Sequence, residues 1–288
     1  MTPVPLEEYL RSRPQALRRG PLAIILVEDQ AALRETLRHH VDAGFHHVFA
    51  LSPEPIAVEE QLSDRVTNLI WNTRQPDAHT GAVNAFIRSV PAGTWLYYCF
   101  NAEFLFFPFS ETRTVGELLA FHAEERRSAM LSYVVDLYAP DLSTAPDAVS
   151  IDSAMFDSAG YFALARANGQ GRHLERQLNF HGGLRWRYEE HLPEVRRRID
   201  RISLFRTTPD LQLLPEHRFN IEEYNTYACP WHHNLTAAIA SFRVAKALVS
   251  NPGSRDSIHG FVWRHSRPFT WQAQQLMDLG LMEPGQWF

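Results

Sequence analysis

Residues 22–27 read Leu-Ala-Ile-Ile-Leu-Val, an unbroken apolar run of strand length. A strand that is apolar on both faces must be covered on both sides, the condition of an inner strand in a parallel sheet. Glu28-Asp29 ends the run, and Asp29 is placed to cap a helix whose Leu33, Leu37 and Val41 share one face. Gly44 stops that helix ahead of a second strand, His47–Leu51. A short helix around Val58–Leu62, a third strand at Val66–Trp71, a helix over 80–90 and a fourth strand at Thr94–Phe100 continue the alternation. The pattern predicts an α/β fold, a Rossmann-like and mostly parallel sheet with helices on both faces.

After Glu103 the alternation loosens. A helix is expected over Val115–Glu125, a strand over Met130–Leu137 and a loop over 139–160. Arginines crowd 172–206 around a strand at Ile202–Phe205. A long helix from Trp231 to Val249, stopped by Asn251-Pro-Gly253, and a last helix over Trp271–Leu279 complete the reading. The organisation expected is a leader at 1–20 with a helical piece at Leu6–Leu17, a core at 21–185, and a helical C-terminal extension at 186–288 packed on that core.

The chain has 288 residues, 45% of them hydrophobic, enough to fill such a core. Its 28 basic against 33 acidic residues give a net charge of -5, which argues against nucleic acid as a partner. Lys246 is the only lysine. No apolar stretch reaches about 18 residues, so no transmembrane segment is expected. Residues 1–19 are polar and carry arginine, unlike a signal peptide. Two cysteines, Cys99 and Cys229, make no disulfide framework, and a cytoplasmic location is expected.

In an open parallel sheet, ligands bind beyond the carboxyl ends of the strands. Those ends carry Glu28-Asp29, Ser52, Asn72 with Arg74, and Asn101 with Glu103. There is no G-x-G-x-x-G after the first strand, no phosphate-binding loop ending in G-K-[ST], no G-x-S-x-G elbow and no clustered Cys/His zinc pattern. His39-His40 and His46-His47 read as structural or surface groups, and Trp263 and Trp271 as packing residues.

Trp95-Leu-Tyr-Tyr-Cys-Phe-Asn-Ala-Glu-Phe-Leu-Phe-Phe-Pro108 is an apolar strand broken by one polar notch. It resembles the family-2-like glycosyltransferases of the GT-A fold, whose motif is a Trp, a strand, then D-x-D-E-F-L and a nearby Pro. Ile24–Asp29 with Leu37-Arg-His-His40 and Ala43-Gly-Phe45 resembles that family's opening strand, acidic turn and helix. Gly81-Ala-Val-Asn84 resembles its G-A-x-N helix, and Phe156–Gly160, Gly182–Arg185 and His232-His233 its later landmarks. The order and spacing of these matches over 22–245 carry the likeness.

The resemblance implies a protein that moves a sugar from a nucleotide-sugar donor to a saccharide acceptor, in a setting such as surface polysaccharide biosynthesis. It implies donor or diphosphate contacts from Glu28, Asp29, Asn84, Asn101, Arg185, Arg187 and His233. Catalytic roles fall to Glu103, facing the diphosphate, and to Asp157 or Glu189 as general base. A divalent ion, Mn²⁺ or Mg²⁺, is also implied, but the two Asp positions of the motif are Phe100 and Ala102 here. Asn101 and Glu103 alone would make a weak site, because these ions prefer charged oxygen ligands. Arginine is then the group expected to offset the leaving-group charge. The alternative is a catalytically inactive module of the same fold that binds a saccharide or a protein partner.

Overall fold

The structure, a computed structural model, describes residues 3–227 and 235–287. The chain is α/β, and its two compact units cut across the sequence. The first takes the described residues up to Asn101, with Thr112–Leu131 and Ile202–Asn225. The second takes Ala102–Glu111, Ser132–Arg201 and the described residues from Thr226 onward.

The first unit opens with β1 (Val4–Pro5) and α1 (Leu6–Arg11). Then come β2 (Leu22–Leu26), α2 (Leu33–Asp42), β3 (His47–Ser52), β4 (Val66–Ile70), α3 (Ala78–Ser89) and β5 (Trp95–Phe100). The strands β1-β4-β3-β2-β5 lie side by side and all parallel. The end of β11 (Asp200–Arg206) runs antiparallel to β5, and α4 (Val115–Glu124) and the hairpin of β12 (Leu213–Leu214) and β13 (Arg218–Phe219) complete the unit.

Sequence pattern explains most of this. Every residue of β2 is fully buried, as its two apolar faces require. Leu22, Ile24 and Leu26 share one cluster with Phe49, Leu51, Phe86 and Tyr98. Each such side chain contributes about 1.5–3 kcal/mol by leaving water. In α3, Ala82, Val83, Phe86 and Ile87 recur at helical spacing and face the same cluster. Thr114 and Glu117 form a reciprocal capping box at the start of α4. Two local readings change. Asp29 accepts from the Ala31 amide at 2.9 Å and holds a turn, while α2 starts later, after Ala32. The helix expected near 58–62 is a single 3₁₀ turn, Glu60–Leu62.

The second unit holds β6 (Glu103–Phe106), most of β7 (Ala129–Tyr138), β8 (Met155–Asp157), β9 (Phe162–Ala167), β10 (His173–His181) and α5 (Gly183–Arg187). It continues with β14 (Ala237–Ser241), α6 (Arg243–Ser250), β15 (Ser266–Pro268) and α7 (Ala273–Asp278). β14 is parallel to β7 and antiparallel to β6, β8 pairs with the end of β7 and with β15, and β9–β10 is a separate hairpin. The long helix expected over 231–249 is corrected here. Residues 237–241 are a fully buried strand, and the helix begins only at Arg243. Ala-Ala-Ile-Ala-Ser has good helix formers, but two flanking strands supply hydrogen bonds on both of its edges, and that tertiary setting outweighs propensity. The part of the expected helix at 231–234 lies outside the described residues. The loop expected over 139–160 contains β8. Among the described residues, no helix is long and apolar enough to cross a membrane.

Candidate functional site

In the first unit the parallel strands run β4-β3-β2-β5, so the chain steps outward from β2 through β3 to β4 and then crosses back to β5 on the other side of β2. The carboxyl ends of β2 and β5 are therefore its topological switch point, the usual crevice for a ligand. Glu28, Asp29 and Asn101 meet there. Asn101 is fully buried. Its Oδ1 accepts from the Glu28 amide at 2.8 Å, and its Nδ2 donates to Asp29 Oδ1 at 2.6 Å and to the Ala31 carbonyl at 3.0 Å. The amide thus ties the 28–31 turn to the end of β5, while Asp29 itself remains exposed. Asn84 is elsewhere. Its amide exchanges two hydrogen bonds with the Leu213 backbone, at 2.9 and 2.7 Å, and clamps β12 to α3.

The second unit has its own polar centre. Glu103 at the start of β6, Ser241 at the end of β14 and Asp136 on β7 are register partners across three adjacent strands. Glu103 is fully buried. Arg201 grips both of its oxygens, at 2.6 and 2.9 Å, and the Ser241 hydroxyl donates to it at 3.0 Å. Asp136 faces Arg185, with Nε and Oδ1 3.5 Å apart, and accepts from the Arg185 amide at 3.3 Å. Gly183, at φ +61°, permits this approach, since a Cβ there would lie 3.0 Å from Asp136 Oδ2. Next along, Asp157 accepts from Arg187 at 3.1 and 3.2 Å, from the Tyr138 hydroxyl at 2.6 Å and from the Trp263 indole at 2.7 Å. Each of the three carboxylates therefore has a guanidinium partner, and the Arg243 charge also acts on Arg185.

Burial pushes the Asp136 carboxyl up to about 6, against the Arg185 charge that lowers it. An acid with a raised folded-state pKa is neutralised more readily in the fold than in the unfolded chain, so it favours folding as pH falls from about 6 to about 4. Stability curves of wild type and Asp136→Asn should diverge in that window. Relative to the variant, the wild type is expected to gain about 2–3 kcal/mol on acidification, read from denaturant midpoints across pH.

An aromatic face adjoins Asp157. Trp186 and Phe162 are 41% and 43% exposed, unusual for such large groups. Phe162 stacks on His181 with ring centres 5.2 Å apart, and Trp186 stands edge-on to Phe162 at 6.5 Å. Gly160, at φ +94°, lies beneath Trp186 and Trp263, and a Cβ there would meet Trp186 at 3.1 Å. The Arg187 guanidinium lies over the Trp263 ring at 4.7 Å. Trp263 thus joins the face as well as packing.

The residues expected at the site divide between several settings. Asp157, Arg185 and Arg187 gather in the second unit with Glu103, and Glu28, Asp29 and Asn101 gather in the first. Glu189 is exposed and pairs with Arg197 at 3.6 Å. His233 lies outside the described residues. Asp136 and Arg201 were not singled out from the sequence. The sign was present, since an Asp inside Val134-Val-Asp-Leu-Tyr138 and an Arg beside Ile202 place charge in apolar strands, where a buried partner is required.

The divalent ion implied by the D-x-D likeness does not fit the residues present. Glu103 has both oxygens engaged by Arg201 and Ser241, and the Asn101 amide is engaged with backbone and Asp29. Among the described residues, no group of three or more His, Cys, Asp or Glu side chains is arranged to hold a metal. No protein-family model matches the sequence, and comparison with curated proteins finds no match.

Proposed function

We propose that this chain is a saccharide-binding protein of the glycosyltransferase-like GT-A type, in which Glu103, the acid that remains in the family's ion-binding motif, is held in a structural ion pair with Arg201. The carrying observation is the exposed aromatic pair Trp186 and Phe162, with half-buried Trp263 beside it, next to the Asp157–Arg187 pair. Flat aromatic rings suit the apolar faces of a sugar ring, and neighbouring polar groups suit its hydroxyls. The strand order of the first unit supports the fold assignment. Sugar transfer from a nucleotide-sugar is the second reading, favoured by the convergence of Glu28, Asp29 and Asn101 at the switch point.

Calorimetry with a panel of neutral and acidic oligosaccharides tests the first reading. At least one should bind saturably, and Trp186→Ala should weaken it about 3- to 10-fold, the size of one lost aromatic contact. A panel without binding, or binding indifferent to Trp186→Ala, would remove the aromatic face from the function.

A further inference from the structure

A cavity in the first unit lies at the opposite end of the sheet from the switch point. About 630 Å³ in volume, it is lined by residues that precede the parallel strands: Gln15, Arg19 and Pro21 before β2, His46 before β3, and Asp64 and Arg65 before β4. The volume falls in the range of small-molecule sites. Two arginines face one acid, so the lining carries a net positive charge.

The fixed and the free groups differ. Arg65 is held in place, its Nε donating to the His46 carbonyl at 3.1 Å and its Nη2 to the Phe45 carbonyl. Arg19, His46 and Gln15 make no side-chain hydrogen bond or ion pair among the described residues, and Asp64 forms none with either arginine. His47, at the same rim, is pushed down to about 4 by burial and by the neighbouring His46 and Arg65. It stays a neutral ring hydrogen-bonded to Thr67 at 2.7 Å. A preset guanidinium, a second exposed one, an imidazole and an amide thus line one concave space with donors to offer.

We infer that this cavity is a binding site for a phosphate-bearing small molecule, with Arg19 and Arg65 as the charged clamp and His46 and Gln15 as further donors. Arginine's planar fork matches phosphate oxygens, and Ala16 and Pro21 give the rest of such a ligand an apolar wall. The site is separate from the saccharide face proposed above and does not depend on it.

Calorimetric titration with inorganic phosphate and with pyrophosphate tests the inference in the intact chain. Saturable binding is expected, weakening as salt is raised. Arg19→Ala and His46→Gln should each reduce affinity, Arg19→Ala by about 10- to 100-fold. Both side chains are exposed, so the melting temperatures without ligand should match the wild type. Trp186→Ala should leave phosphate binding unchanged. Absence of saturable binding at about 10 mM of either probe would overturn the inference. So would binding that survives Arg19→Ala at full strength, which would place the anion elsewhere.

Discussion

Replacing Glu103 by alanine is expected to lower the stability of the fold by about 3–5 kcal/mol, because it leaves the Arg201 guanidinium buried and uncompensated. Both side chains are nearly sealed from water, and the bidentate geometry uses both carboxylate oxygens. Arg201→Met should cost a similar amount by stranding the carboxylate. Replacing both together, as Glu103→Leu with Arg201→Met, should recover much of the loss, since an apolar pair of similar volume can substitute for a buried ion pair. Urea denaturation of the three variants checks the pattern. A carboxylate kept for metal or diphosphate chemistry behaves differently. Its removal would leave stability near wild type and abolish activity.

Asp157→Ala is the second large effect, again about 3–5 kcal/mol. Asp157 is 1% exposed and receives hydrogen bonds from Arg187, Tyr138 and Trp263. Its loss strands a guanidinium and an indole N–H, groups that cost free energy when buried without partners. Because the same carboxylate fixes Trp263 and Arg187 beside Trp186 and Phe162, saccharide binding should fall with stability. Asp157→Asn keeps the shape and one acceptor oxygen, so it should be milder on both measures. A general base would separate the two: Asp157→Asn would leave folding and binding intact and remove turnover only.

Much of the first unit was legible in the sequence because its signals are local. The continuous apolar runs at 22–27 and 47–51, the helical spacing of Ala82, Val83, Phe86 and Ile87, and the stop at Gly44 each follow from a few neighbouring residues. The second unit depends on distant pairing. Ala237–Ser241 is a strand because β6 and β7 flank it, and no local pattern separates it from a helix. The site divides the same way. The polar ends of β2 and β5 were visible as Glu28-Asp29 and Asn101. The role of Glu103 could not be read from its place in a motif, because its partner Arg201 lies 98 positions away along the chain. The resemblance that led to Glu103 located a charged centre, and the packing around it changes what that centre is suited to do.

The most direct test of this reading is a calorimetric titration of Mn²⁺ into the wild type and into Glu103→Gln, each with and without a panel of UDP- and GDP-sugars. If the Glu103–Arg201 pair is structural, no heat in the wild type depends on Glu103, and sugar-nucleotide binding, where present, is indifferent to the ion. Saturable Mn²⁺ binding that disappears in a folded Glu103→Gln protein would contradict it.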